Sequence, residues 1–188
     1  MNNYSKILIA VIISSLFVIS SCKKEEVIEG CTDSSAMNYL SNATSNDGSC
    51  IFAYVIAQGI WNISSECDDL DVFGFTIPLN TLLPPTIEIT AEGDGVVSLD
   101  INGSSVLADV ANNGVVDIQD NQTISFDTSI LNNPALQLLL AGLSIDDVID
   151  IEISGSGTII SDSNGDLLLN LSNSLLSIDT DCEITFTR

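Results

Sequence analysis

Gly59-Ile60-Trp61-Asn62-Ile63-Ser64-Ser65-Glu66-Cys67 and, at the far end of the chain, Cys182-Glu183-Ile184-Thr185-Phe186-Thr187-Arg188 are the two segments on which the fold turns. Both alternate apolar and polar residues, the period of two that marks a half-buried strand. Facing residues of an antiparallel pair have numbers of constant sum. A bridge between Cys67 and Cys182 sets that sum at 249. Ile63, Ile184 and Phe186 then share the parity of both cysteines and point to one face of the pair.

Between these segments the same period recurs, broken by Gly, Asn and Asp turn signals from Ile51 onward. Ile87, Ile89 and Ala91 alternate with Glu88, Thr90 and Glu92, and Val97, Leu99 and Ile101 with Ser98, Asp100 and Asn102. Further alternations cover Val106 to Val110, Val116 and Ile118, Ile124 and Phe126, Ile149 to Ile153, and Leu167 to Leu171. Asn102-Gly103, Asn113-Gly114 and Asn164-Gly165 read as turns, the first as a tight hairpin. The expectation is an all-β domain over 51–188, an antiparallel meander barrel of about eight to ten strands, with a two-sheet β-sandwich as the alternative. One helix interrupts it. Asn133 caps it, Pro134 suits its first position, Leu136, Leu139, Leu140 and Leu143 form an apolar stripe, and Gly142 marks the end of its first part. Such a stripe seals a β core or covers a ligand cavity.

Five cysteines occur in the chain. Setting aside Cys22, discussed below, four remain and allow three pairings. Cys31 and Cys50 bracket a polar stretch with no room for a core, so the spacing pairs them and leaves Cys67 for Cys182. The stretch Gly30-Cys31-Thr32-Asp33, Ala36, Asn38-Tyr39, Ala43 and Asp47-Gly48-Ser49-Cys50 resembles a small disulfide module that recurs in secreted and surface proteins of Bacteroidota-type bacteria. Over 31–50 a disulfide would stand in for a core, with Tyr39 and the alanines as its apolar filling. Asp33, Asn38, Asn42, Asn46 and Asp47 supply oxygen atoms of the kind Ca²⁺ favours, with Asp33 and Asp47 the charged candidates. Their spacing is not that of an EF-hand, and tight turns call for the same residue types.

At the amino end, Lys6 precedes the apolar run Ile7 to Ile19, the length of a signal-peptide core and short for a membrane span. Ile19-Ser20-Ser21-Cys22 resembles the lipobox of bacterial lipoproteins, which implies cleavage after residue 21 and acylation of Cys22. Lys23-Lys24-Glu25-Glu26 resembles the surface-export signal of Bacteroidota-type lipoproteins. The resemblance implies a signal peptide over 1–21, a lipidated tether over 22–30, and a home on the outer face of the outer membrane.

Charge narrows the function classes. The chain has 4 basic and 26 acidic residues, no histidine, and a formal charge of −22. Removal of a signal segment containing Lys6 takes this to −23. Nucleic acid and anionic headgroups are repelled by such a field, whereas cationic partners are attracted. Enzymes that use Ser or Cys with a His base are disfavoured, as are the common zinc sites. Carboxylate pairs remain as candidates, Asp68-Asp69-Asp71 and Asp146-Asp147, and both read as solvated loops. A non-enzymatic, monomeric protein with no cofactor except calcium is expected.

Gly59-x-Trp61 on the first strand, with Arg188 on the last, resembles the closure of lipocalin-like barrels, in which an Arg stacks across the Trp. Trp61 and Arg188 share the sum of 249 with Cys67 and Cys182. One register therefore serves the stack and the disulfide together. The family's helix lies between the barrel and a final strand, whereas the helix here falls mid-domain, so the resemblance covers the ends of the domain only. It implies a surface binding or display module for a small apolar ligand, glycan or protein. The alternative is a structural or accessory component of a surface assembly, favoured where the Val, Ile and Leu of the inner face fill the barrel.

Overall fold

The computed structural model describes residues 26–131, 133–142 and 148–188. The signal-peptide segment, Cys22, Leu143 and the Asp146-Asp147 pair lie outside the described residues. Among the described residues thirteen strands and two α-helices follow one another, with two short 3-10 turns between them. Strands β1 (Glu29–Gly30) and β2 (Ser45–Asn46) precede helix α1 (Ala53–Ala57) and strand β3 (Gly59–Cys67). Then come β4 (Leu70–Val72), β5 (Phe75–Ile77), β6 (Thr86–Gly93), β7 (Val96–Ile101), β8 (Ser104–Val110), β9 (Val115–Ile118) and β10 (Gln122–Asp127). Helix α2 (Pro134–Gly142) leads into β11 (Val148–Ile159), β12 (Asn164–Asn173) and β13 (Ile178–Thr187).

Nine strands form one antiparallel sheet in the order β10-β11-β12-β13-β3-β6-β7-β8-β9, and pairing of β9 with β11 closes it. β9 and β10 occupy one place in the ring, since both pair with β11, at Ser156 to Thr158 and at Val148 to Ile153 respectively. The break falls at Gln119 to Asn121, where Asn121 has φ of +60°. The result is a closed eight-stranded antiparallel barrel, not a sandwich. Its inward residues are the alternating apolar ones, and they make one continuous core from Ala53 to Phe186.

The β3–β13 seam has the expected register. Cα partners run from Cys182 with Cys67 to Thr187 with Asn62, every pair on the same sum. Asn102-Gly103 forms the tight hairpin, with φ of +53° and +83°. The α2 cap is as expected too, because Asn133 Oδ1 accepts the N–H groups of Ala135 at 3.1 Å and Leu136 at 3.2 Å.

Several local expectations differ from the structure. Residues 53–57 are helical rather than extended, since Ala53 and Ala57 sit on one face of a short turn that buries both. Asn164-Gly165 opens β12 instead of forming a turn, and the turn is at Ser161 to Ser163. Gly165 serves close approach: a Cβ there would come within 3.0 Å of the Thr158 carbonyl oxygen. Of the α2 stripe, Leu136 and Leu140 are buried while Leu139 is exposed, because only the i, i+4 pair meets the barrel. Tyr39 is exposed rather than filling the small module, whose buried side chains are Cys31 and Ala36.

The barrel has two unlike ends. The chain enters at one, where α1 and Trp61 lie. At the other, α2 and the β4–β5 hairpin cover the opening beside the end of β3.

Candidate functional site

Sequence reasoning singles out the seam, and the structure assembles it. Trp61 is fully buried at the entry end, its Nε1–H donating to the Ala57 carbonyl at 2.6 Å. Phe186 meets it edge to face, with centroids 6.2 Å apart. The guanidinium carbon of Arg188 lies 3.9 Å from the Trp61 ring centroid. The same guanidinium donates to the carbonyls of Ala57 and Asp162, each at 3.4 Å, and to that of Gln58. Gly59 has φ of +110°, and a Cβ there would sit 3.2 Å from Arg188 Nη2, so this glycine serves both the backbone turn and the cation's seat. An Arg stacked on Trp contributes about 1–2 kcal/mol when desolvated.

Sequence reasoning missed the carbonyl acceptors of this site. Ala57 ends α1, Gln58 follows it, and Asp162 comes from the turn before β12. Backbone acceptors carry no residue signature, so only the placement of α1 reveals them.

At the other end of the seam Cys67 and Cys182 are bridged, with Cα atoms 4.2 Å apart. Cys31 and Cys50 are bridged in the small module, with Cα atoms 4.8 Å apart. Both expected disulfides are present. Asn38 fastens the module's closing turn, accepting from Ile51 N–H at 2.8 Å and donating to the Ser49 carbonyl at 2.6 Å. Met37 packs against the barrel core.

The calcium candidates are engaged within their own loops. Asp33 Oδ1 accepts Ser35 N–H at 2.9 Å and Ser35 Oγ–H at 2.7 Å, and these bonds hold its carboxyl below the ordinary value. The hydroxyl and N–H of Ser49 do the same for Asp47. Among the described residues no group of three or more His, Cys, Asp or Glu side chains is placed to hold a metal ion. Asp68, Asp69 and Asp71 are exposed around the β4–β5 hairpin, and Asp71 Oδ1 accepts Gly74 N–H at 2.8 Å.

Among the described residues two small gaps lie inside the barrel. One gap of about 20 Å³ lies under α2 and the β4–β5 hairpin, lined by Val72, Leu136, Leu140, Ile151, Leu176 and their neighbours. Another of about 10 Å³ lies mid-barrel among Ile63, Leu99, Leu169 and Phe186. Both linings are apolar, and neither volume admits more than about one water. Outside, where β6 and β7 diverge beyond the Ile89–Leu99 pair, an open groove of about 310 Å³ is lined by Ile60, Pro84, Thr86, Ile87, Glu88 and Asp100.

No family model matches this chain. No curated protein matches it either. Among solved structures it is similar to a redesigned beta barrel, mFAP1, bound to DFHBI, at 12% identity and a TM-score of 0.39, over 72% of this chain and 98% of that one. A second redesigned beta barrel, b11L5F_LGL, is similar at 11% identity and a TM-score of 0.36, over 73% and 96% of the two chains. Among the described residues no helix is long and apolar enough to cross a membrane.

Proposed function

We propose that this chain is a surface-exposed outer-membrane lipoprotein, anchored through acylated Cys22, whose barrel is a non-enzymatic display module that meets a protein or glycan with its outer surface. One observation carries the choice of display over carriage: among the described residues apolar side chains pack the interior and the gaps they line measure about 20 and 10 Å³. Ligand cavities are on the order of 300 Å³ or more. The lipobox-like Ile19-Ser20-Ser21-Cys22 and the Lys23-Lys24-Glu25-Glu26 run support the address. Four cysteines held in disulfides and a chain without histidine support a non-enzymatic role. A structural component of a surface assembly would use the same filled barrel, and the open groove beside Glu88 and Asp100 favours capture on the outer wall as the more specific reading.

The test is mass spectrometry of the amino-terminal peptide together with protease shaving of intact cells that express the whole chain. The expected result is an acylated peptide beginning at Cys22 and loss of the barrel from intact cells. An unacylated amino terminus, or a barrel that shaving reaches only after the outer membrane is opened, would overturn the proposal.

A further inference from the structure

We propose that the end of the barrel covered by α2 and the β4–β5 hairpin docks a cationic amphipathic segment of a partner protein, with Phe73 as the anchor. This rests on the display reading above and adds a capture surface distinct from the open groove of the outer wall. Among the described residues three two-residue hairpin loops take both central residues to positive φ. Asp94-Gly95 lies at +51° and +84°, Asn102-Gly103 at +53° and +83°, and Phe73-Gly74 at +55° and +82°. Asp and Asn suit the first position because short polar side chains tolerate left-handed backbone. A phenylalanine there is strained, and this one is 51% exposed, so its ring gains little from the core. The fold needs neither the strain nor the exposed ring. Strain kept at an exposed aromatic tip points to use by something outside the fold.

Phe73 does not stand alone. Leu138 is 76% exposed and Leu175 64%, and Val148 is half exposed. Buried residues of the same segments, Leu140, Leu176 and Ile149, line one apolar crevice together with Leu70 and Val72 of the hairpin, which brings the four segments to one end while the exposed side chains point away from the crevice. Exposed apolar groups collected at one end of a barrel are candidates for contact. Its rim is acidic: Asp68, Asp69 and Asp71 flank Phe73 in sequence, and Asp127 and Asp179 end or begin strands at the same end, all exposed. Among the described residues the only Lys or Arg is Arg188, at the opposite end. An occupant must cover an apolar centre and set positive charge against this rim. A second copy of a chain of formal charge −22 and an anionic lipid surface both fail that requirement. A helix with an apolar stripe flanked by Lys or Arg meets it.

The test uses the complete chain with Cys22→Ser, so that no acyl group attaches, titrated at about 0.15 M NaCl. The probe is a synthetic labelled helix with Leu at i, i+3, i+4 and i+7 and Lys elsewhere, beside the same peptide with Glu for Lys. The Lys peptide is expected to bind saturably one to one, and the Glu peptide not to bind. Phe73→Asn is expected to weaken binding at least about tenfold while leaving Tm unchanged or raised, since Asn fits the turn. Leu138→Ser should weaken it as well, and Ile160→Ser, exposed at the entry end, should leave it as it is. Full binding by Phe73→Asn would overturn the proposal, as would oligolysine of the same length binding as tightly as the amphipathic probe. So would Phe73-dependent self-association or adsorption to phosphatidylcholine vesicles that the probe does not displace. None of these results moves the shaving experiment, so failure here and failure of the display reading are separable.

Discussion

The two ends of the β3–β13 seam are fastened by different chemistry. At the lid end a covalent bond joins Cys67 to Cys182, beneath a cover of aliphatic side chains that leaves a gap of about 20 Å³. At the entry end the two strands are held without a covalent cross-link. Trp61 is held instead by an indole hydrogen bond, a phenyl edge and a stacked guanidinium that reaches carbonyls on two other segments. Apolar contact is non-directional, so a lid built from it tolerates imperfect fit. Hydrogen bonds and a cation over a ring fix one geometry. The disulfide therefore acts chiefly by restricting the unfolded chain, whereas the Arg188 contacts act on the folded one.

That division gives ways to break each end separately. Replacing Cys67 and Cys182 together with Ala, across a sequence separation of 115, should have the largest effect, about 5 kcal/mol in the loop-entropy model. Urea unfolding should show it, with Trp61 emission of the folded state unchanged because the entry end stays intact. Trp61→Ala should cost about 3–5 kcal/mol, followed by circular dichroism because the chain's one tryptophan is lost. Gly157→Ala comes next. A Cβ at that inward position would lie 2.1 Å from the Asp166 carbonyl oxygen, where backbone must move, and about 1–3 kcal/mol of destabilisation is expected in the same assay. Arg188→Gln should cost about 1–2 kcal/mol and shift Trp61 emission, the reverse of the disulfide pattern. An unshifted spectrum would mean that the stack does not set the indole's surroundings.

The smallest effect is a titration at the lid end. The hydroxyl and N–H of Ser129 hold the Asp127 carboxyl below its ordinary value of 3.8. A depressed folded-state value contributes stability above the unfolded value, and that contribution is lost as pH falls through the folded one. NMR of the carboxyl carbon should therefore give a midpoint below 3.8, and Ser129→Ala should return it toward that figure.

Legibility in the sequence followed residue chemistry. The seam register could be read because two cysteines and strict alternation leave one way to face the strands. The α2 cap could be read because Asn133-Pro134 is a side-chain signal for a helix start. Helix α1 could not, since Ala-Tyr-Val-Ile-Ala is apolar under any period and five residues are too few to show one. The partners of Arg188 were hidden because they are carbonyls. The β9–β10 break and the Phe73 turn were hidden for a different reason: a residue placed against its local preference announces nothing until the backbone is seen. Asn164-Gly165 misled because Gly marks a left-handed turn and a close backbone approach with the same letter.

The proposal that the barrel displays rather than carries rests on the small size of the gaps inside it among the described residues, about 20 and 10 Å³. Native mass spectrometry of the oxidised chain, after incubation with fatty acids and other small apolar molecules, tests it most directly. The account predicts a bare mass lower by four protons than that of the reduced chain, with no bound molecule. A stoichiometric adduct, retained in the native spectrum and released on denaturation, would contradict it.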